Sequence, residues 1–107
     1  MITDLERGFI IGMIEADGWV KKITNKDNTA RAIVITNTNK TIIDYLVNIL
    51  AKEIKLGKVR NQNYGNQEVY RVCIYRKRGF EFIMKIYEEM DYHSVKRERL
   101  KLLLESY

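Results

Sequence analysis

The sequence contains no proline, one cysteine and one histidine in 107 residues. A lone cysteine, Cys73, permits no internal disulfide, which fits a reducing compartment. Cys73 and the single histidine, His93, cannot assemble a structural zinc site of the usual four-ligand kind. Without proline, the breaks between elements fall to Gly, Asn and Asp. No apolar run reaches the roughly 20 residues that a membrane-spanning helix needs. Asp4, Glu6 and Arg7 stand where a secretory signal requires a basic and then apolar start. An intracellular location is therefore expected, in a prokaryotic cytoplasm or an organelle, with no membrane partner and no small-molecule cofactor. Low-complexity segments and internal repeats are also missing.

What remains is enough for one domain over residues 1–107 with one modest core, a size that favours a partner subunit. A hydrophobic fraction of 46% and a charged fraction of 31% describe an ordinary globular chain. Nineteen Lys and Arg against 14 Asp and Glu leave a net charge of +5. That excess serves solubility or a polyanionic partner, most often nucleic acid, and does not choose between them.

Thr3-Asp4-Leu5-Glu6 is a capping-box pattern and predicts a helix from about Asp4 to Ala16. WVKKIT from Trp19 and ARAIVITNT from Ala30 predict a hairpin around the turn Asn25 to Asn28. Asn39 is a fitting N-cap for a second helix, whose apolar period runs through Ile42, Ile43, Leu46, Val47, Ile49 and Leu50, with Gly57 as its stop. KVRNQN and EVYRVCIYR predict a second hairpin around Tyr64-Gly65-Asn66. A third helix is expected from about Gly79 to Glu89 and a last one from near Ser94. Helix, hairpin, helix, hairpin and two helices imply an α+β domain: a four-stranded antiparallel sheet with helices on one face.

The opposite sheet face would then be open and polar by alternation. Lys58, Arg60 and Gln62 share one face of the third strand. Tyr70, Val72 and Ile74 alternate with outward Arg71, Cys73 and Tyr75. Thr36 and Thr38 alternate with Ile33 and Ile35, and Lys21 shares a face with Asn25. Such a face is either simply solvated or a nucleic-acid surface, and its excess of Arg, Lys and amides over acids favours the second, since these side chains read base edges in the major groove.

The first helix carries two anomalies. It is apolar on more than one side, so it is buried on several sides. Gly12 and Ala16 lie four residues apart on one face, where small side chains let two helices approach closely; Phe9 and Met13 flank them. Asp17 sits at the helix C-terminus, where a negative charge is unfavourable by about 0.3–1 kcal/mol. Gly18 beside it is expected to be a left-handed cap. Two such helices packed at Gly12 and Ala16 would bring two Asp17 carboxylates together, an oxygen donor set suited to Mg²⁺ and metal-assisted phosphodiester hydrolysis.

Ile10-Ile11-Gly12-Met13-Ile14-Glu15-Ala16-Asp17-Gly18 resembles the LAGLIDADG motif of homing endonucleases, matching at Gly12, Ile14, Ala16, Asp17 and Gly18. The element order is similar to that family's core fold across nearly the whole chain. The resemblance implies a homodimer, since one motif is present, with Phe9, Gly12, Met13 and Ala16 at its interface. It implies a long, nearly palindromic double-stranded DNA target, cut by a metal-activated water. Asp17 is the implied metal ligand for Mg²⁺ or Mn²⁺, with Ca²⁺ able to occupy the site without supporting cleavage. Lys96 (or its neighbour Arg97) and Asn39 resemble the family's supporting catalytic positions. Lys21, Asn25, Thr36, Thr38, Lys58, Arg60, Gln62, Arg71 and Tyr75 become the implied DNA contacts. Glu15, longer than the usual Asp, is expected to pack or cap, and Trp19 to add to the core. The same fold also supports a different reading, a non-cleaving nucleic-acid binder such as an intron RNA maturase or a transcriptional regulator.

Overall fold

The computed structural model describes residues 2–24 and 29–107. The elements run α1 (Asp4–Asp17), β1 (Gly18–Thr24), β2 (Thr29–Asn37), α2 (Lys40–Leu50), β3 (Arg60–Tyr64), β4 (Gln67–Ile74), α3 (Lys77–Glu89) and α4 (Val95–Glu105). The expected turn over Asn25 to Asn28, and with it Asn25 as a DNA contact, lies outside the described residues.

The starts of α1, α2 and α4 follow their local chemistry, while α3 begins after Arg76 with no side-chain cap. Thr3 accepts from the Glu6 backbone N–H at 3.1 Å, and the Glu6 carboxylate accepts from the Thr3 N–H at 2.8 Å, completing the capping box. Asn39 caps α2 through the Ile42 N–H, and Ser94 caps α4 through the Arg97 N–H. Each such cap stabilises its helix by about 1 kcal/mol. The end of α2 departs from expectation: the helix stops at Leu50, seven residues before Gly57. Ala51, Lys52 and Glu53 are exposed and do not continue the buried stripe. The chain instead tightens into a turn, which sends Lys52 to Glu6 at 2.8 Å and Ile54 into the core.

The sheet order is β1-β2-β4-β3, all antiparallel, so the two hairpins lie side by side with β2 and β4 innermost. Gly65, at φ 64°, turns the β3–β4 hairpin in a left-handed conformation that glycine adopts without strain. One sheet face carries Ile33, Ile35, Val72 and Ile74, which pack with Ile10 and Ile14 of α1, Leu46 of α2, Phe80 of α3 and Leu100 of α4 in a single core. On the other face, Trp19, Thr36, Arg60, Gln62 and Arg71 line an open depression whose described walls are all strand residues.

That open face differs from the expected polar alternation on its β1–β2 side. Ala32 and Val34 point to it, yet each is only 1% exposed. Trp19 is the direct partner of Val34 and stands on this open face, not in the helix-side core as expected. An indole body covers apolar floor while leaving its edge available, so the same side chain forms surface and seal.

Candidate active site and nucleic-acid interface

α1 passes into β1 without an intervening loop: Asp17 is the last helical residue and Gly18 the first of the strand. Gly18 has φ −105° and ψ 168°, an extended conformation and not the expected left-handed cap. Glycine is required there for space. A Cβ at Gly18 would stand 2.9 Å from the Ile14 carbonyl oxygen and 3.0 Å from its Cα, both backbone atoms with nowhere to go.

The half-buried Asp17 carboxylate accepts a 2.9 Å hydrogen bond on Oδ2 from the Asn37 side-chain amide. The other end of that amide, Asn37 Oδ1, accepts from the Asn39 backbone N–H at 2.7 Å. The donor and acceptor ends of Asn37 are thus both engaged, which fixes which end faces the carboxylate. Asn39, expected beside Asp17, caps α2 with its side chain, and Asn37 reaches the acid in its place. The sequence did carry a signal for Asn37. It continues the row Ile33, Ile35, Asn37 on the core-facing side of β2, where an amide at the end of an apolar row asks for a partner.

The C-terminal turn of α1 contains no basic residue, so its negative end is met from elsewhere. The Lys96 ammonium donates to the Ile14 carbonyl at 2.9 Å and to the Glu15 carbonyl at 2.7 Å. Arg97 turns the other way and donates to the Tyr92 carbonyl at 2.9 Å in the α3–α4 connection. Of the two neighbours, Lys96 is the one at the Asp17 end of the motif helix. Glu15 is structural, as expected: its Oε2 accepts from the Tyr87 hydroxyl at 2.7 Å and the Ser94 hydroxyl at 2.9 Å. One carboxylate oxygen thereby ties α1 to α3 and to the N-cap of α4. Burial, with the Glu15 carboxylate beside it, holds the Tyr87 phenol well above its usual range.

The expected interface residues divide. Gly12 and Ala16 are exposed, and a Cβ built on Gly12 meets nothing within 4 Å. Leu5, 81% exposed, and Gly8 continue the same outer stripe. Phe9 is half-buried at its flank and stacks edge-on against Tyr45 of α2, with ring centroids 4.9 Å apart. Met13 is a correction. It is buried in the subunit's own core at 9% exposure, because its place on the helix turns it inward from the Gly12–Ala16 line.

The expected DNA contacts also divide. Thr36, Arg71 and Arg60 stand in one cross-strand row over β2, β4 and β3. Gln62 lies on the same face, opposite Val69, and Lys21 pairs with Ala32 at the β1 edge. Thr38, Lys58 and Tyr75 are exposed but lie just outside the strands to which the alternation assigned them. The Cys73 thiol hydrogen-bonded to Tyr75, together with partial burial, pushes that phenol up, and the guanidiniums of Arg60 and Arg71 oppose the shift. Trp19, Val69 and Tyr64 join the arginines in lining a depression of about 290 Å³ on this face. The one carboxylate of the β3–β4 hairpin, Glu68, points to the opposite side, where it accepts from Asn61 and from the Tyr70 hydroxyl.

Metal donors are sparse in one subunit. Among the described residues no cluster of three or more His, Cys, Asp or Glu is placed to hold an ion. Asp17 offers one carboxylate, with Oδ2 engaged by Asn37. This set fits a hard divalent ion only as part of a shared site, completed by a second carboxylate and by phosphate oxygens.

No curated protein sequence matches the chain. Solved structures do. The archaeal intron-encoded homing endonuclease I-Vdi141I, solved in complex with DNA, superposes with a TM-score of 0.66 at 21% identity, over 95% of this chain and 66% of that one. The homing endonuclease I-TnaI gives 0.65 at 14% identity, over 94% and 70%. I-DmoI in complex with DNA and calcium gives 0.52 at 16% identity, over 92% and 55%. A variant of I-DmoI is also known with nicked target DNA in the presence of manganese. The chain spans only part of the length of these relatives, and at such identities the likeness is one of fold. The family description of the LAGLIDADG-like domain matches residues 4–89, most of the chain. With the motif on α1 and this sheet topology, the chain belongs to the LAGLIDADG family.

Proposed function

We propose that the protein is a site-specific DNA endonuclease that acts as a homodimer on a long, nearly palindromic target. The observation that carries this reading is Asp17: a half-buried carboxylate at the negative end of a helix, held by Asn37, on a helix whose Gly12–Ala16 face is open. A protein that only bound DNA would have little use for an acid kept there against the helix dipole and against phosphate.

In this reading two α1 helices meet along Gly12 and Ala16, and Leu5 and Phe9 lose their exposure. Each sheet then presents its open face to one half-site. The Asp17 carboxylates of both subunits hold divalent ions, Mg²⁺ or Mn²⁺, which when bound activate water and neutralise developing phosphate charge. Asn37 aims each carboxylate by fixing Oδ2, and Lys96 keeps the end of α1 in place through its two carbonyl contacts. Lys21, Lys58 and Tyr75 meet the sugar-phosphate backbone at the margins, and the central row faces the bases. The DNA and divalent ions found with the related endonucleases support this assignment.

The test is incubation of the full chain with a library of DNA sites and Mg²⁺, comparing wild type with Asp17→Asn. Double-strand cleavage by wild type, and binding without cleavage by Asp17→Asn, are expected. Binding without cleavage by both would overturn the nuclease reading in favour of a non-cleaving binder of the same fold.

A further inference from the structure

The row Thr36–Arg71–Arg60 places two guanidiniums directly opposite one another on adjacent strands. Directly opposed like charges destabilise a sheet, and neither arginine has an ion-pair or hydrogen-bond partner among the described residues. No Asp or Glu occurs on the open face of the described strands, since Glu68 lies on the other side. No protein acceptor relieves the pair, so water, or a ligand with acceptor atoms that displaces it, must do so.

The setting of Arg71 separates it from a general phosphate clamp. β4 is an inner strand, Arg71 is half-buried, and Val69 and Trp19 form apolar walls of the same depression. A half-buried arginine between apolar walls has fewer directions open to its planar fork than one free in solvent. Arg60, on the edge strand β3, is exposed, and its place is set by its register directly opposite Arg71 and not by burial, whereas Lys58 lies outside the strand with no such partner. From this geometry we propose that Arg71 and Arg60 form a guanine-reading pair, each presenting its fork to the O6 and N7 acceptors of a guanine in the major groove. Adjacent strands place the two forks about one pairing distance apart, within reach of neighbouring base pairs. The pair makes guanine the required base at one or two positions of each half-site. This inference rests on the DNA-binding reading above.

The test is selection from randomised double-stranded DNA in calcium, followed by affinity measurements over a range of salt, for wild type, Arg71→Ala, Arg60→Ala and Arg71→Lys. Wild type is expected to enrich guanine at the same one or two positions in each half-site. Arg71→Ala and Arg60→Ala should each lose roughly 10-fold or more in affinity for that site, and little for sites lacking the guanine. Arg71→Lys keeps the charge but not the fork, so it should retain the salt dependence and lose most of the guanine preference. Binding with no guanine enrichment would overturn the pair as a reader and leave DNA binding intact. So would uniform weakening of all sequences by the alanine variants with a shallower salt slope, the signature of phosphate contact. Failure of wild type to bind any DNA would remove the functional reading itself.

Discussion

Asp17 sits where a helix least favours an acid, and what the fold adds around it is mostly restraint. Asn37 takes one oxygen and is itself locked by the Asn39 N–H. Removing that restraint with Asn37→Ala should leave DNA affinity nearly unchanged and lower the single-turnover cleavage rate by about 10- to 100-fold, the range of one charge-assisted hydrogen bond. Equal losses in binding and cleavage would contradict a role in aiming the carboxylate. Tyr87 carries a second residue-scale consequence. Its phenol is raised above the ordinary 10.0 by burial and by its bond to Glu15. The folded state thus holds this proton more tightly than the unfolded chain does. Its contribution is complete below that ordinary value and is lost as pH rises above it. Thermal melts should fall in alkali for wild type and fall less for Tyr87→Phe, which should itself cost about 1 kcal/mol at neutral pH.

At the scale of elements, the motif helix is positioned from its neighbours more than from itself. Its start is local, through Thr3 and Glu6. Its end is held by α4, through the Lys96 ammonium on the Ile14 and Glu15 carbonyls and Ser94 on the Glu15 side chain. Lys96→Met should therefore destabilise the fold by about 1–3 kcal/mol, read as a lower midpoint in urea at an unchanged slope. An unchanged midpoint would mean that the helix end is supported elsewhere. Elements of this kind explain what could be read from the chain. Thr3, Asn39 and Ser94 announce their caps because capping is local chemistry, and the strands follow from alternation. At Gly18 the sequence points to a glycine but to a different cause, a left-handed cap: nothing local tells that the backbone of Ile14 fills the space of its Cβ. The same holds for Trp19, since alternation assigns the sheet face but not what covers it. The choice of Asn37 over Asn39 required the register of β2 against the end of α1.

For the whole molecule, the open stripe on α1 decides whether one subunit suffices. Among the described residues nothing outside its own helix comes within 4 Å of a Cβ built on Gly12, and a glycine inside a helix costs about 1 kcal/mol relative to alanine. Gly12→Leu should leave the monomer folded and at least as stable. It should also abolish dimer formation, with sedimentation of the wild type as dimer and of the variant as monomer. A variant that still sediments as a tight dimer would place the subunit contact on another face.

The direct passage from Asp17 into Gly18 gives the molecule a joint with no slack. A loop would let the acid and the strand move separately; here one peptide unit belongs to both. Any change in the twist of β1 swings the carboxylate as a lever swings its tip. Whatever flexes the open face of the sheet therefore re-aims the acid at the end of α1, and the shape of what lies on that face becomes part of the aim.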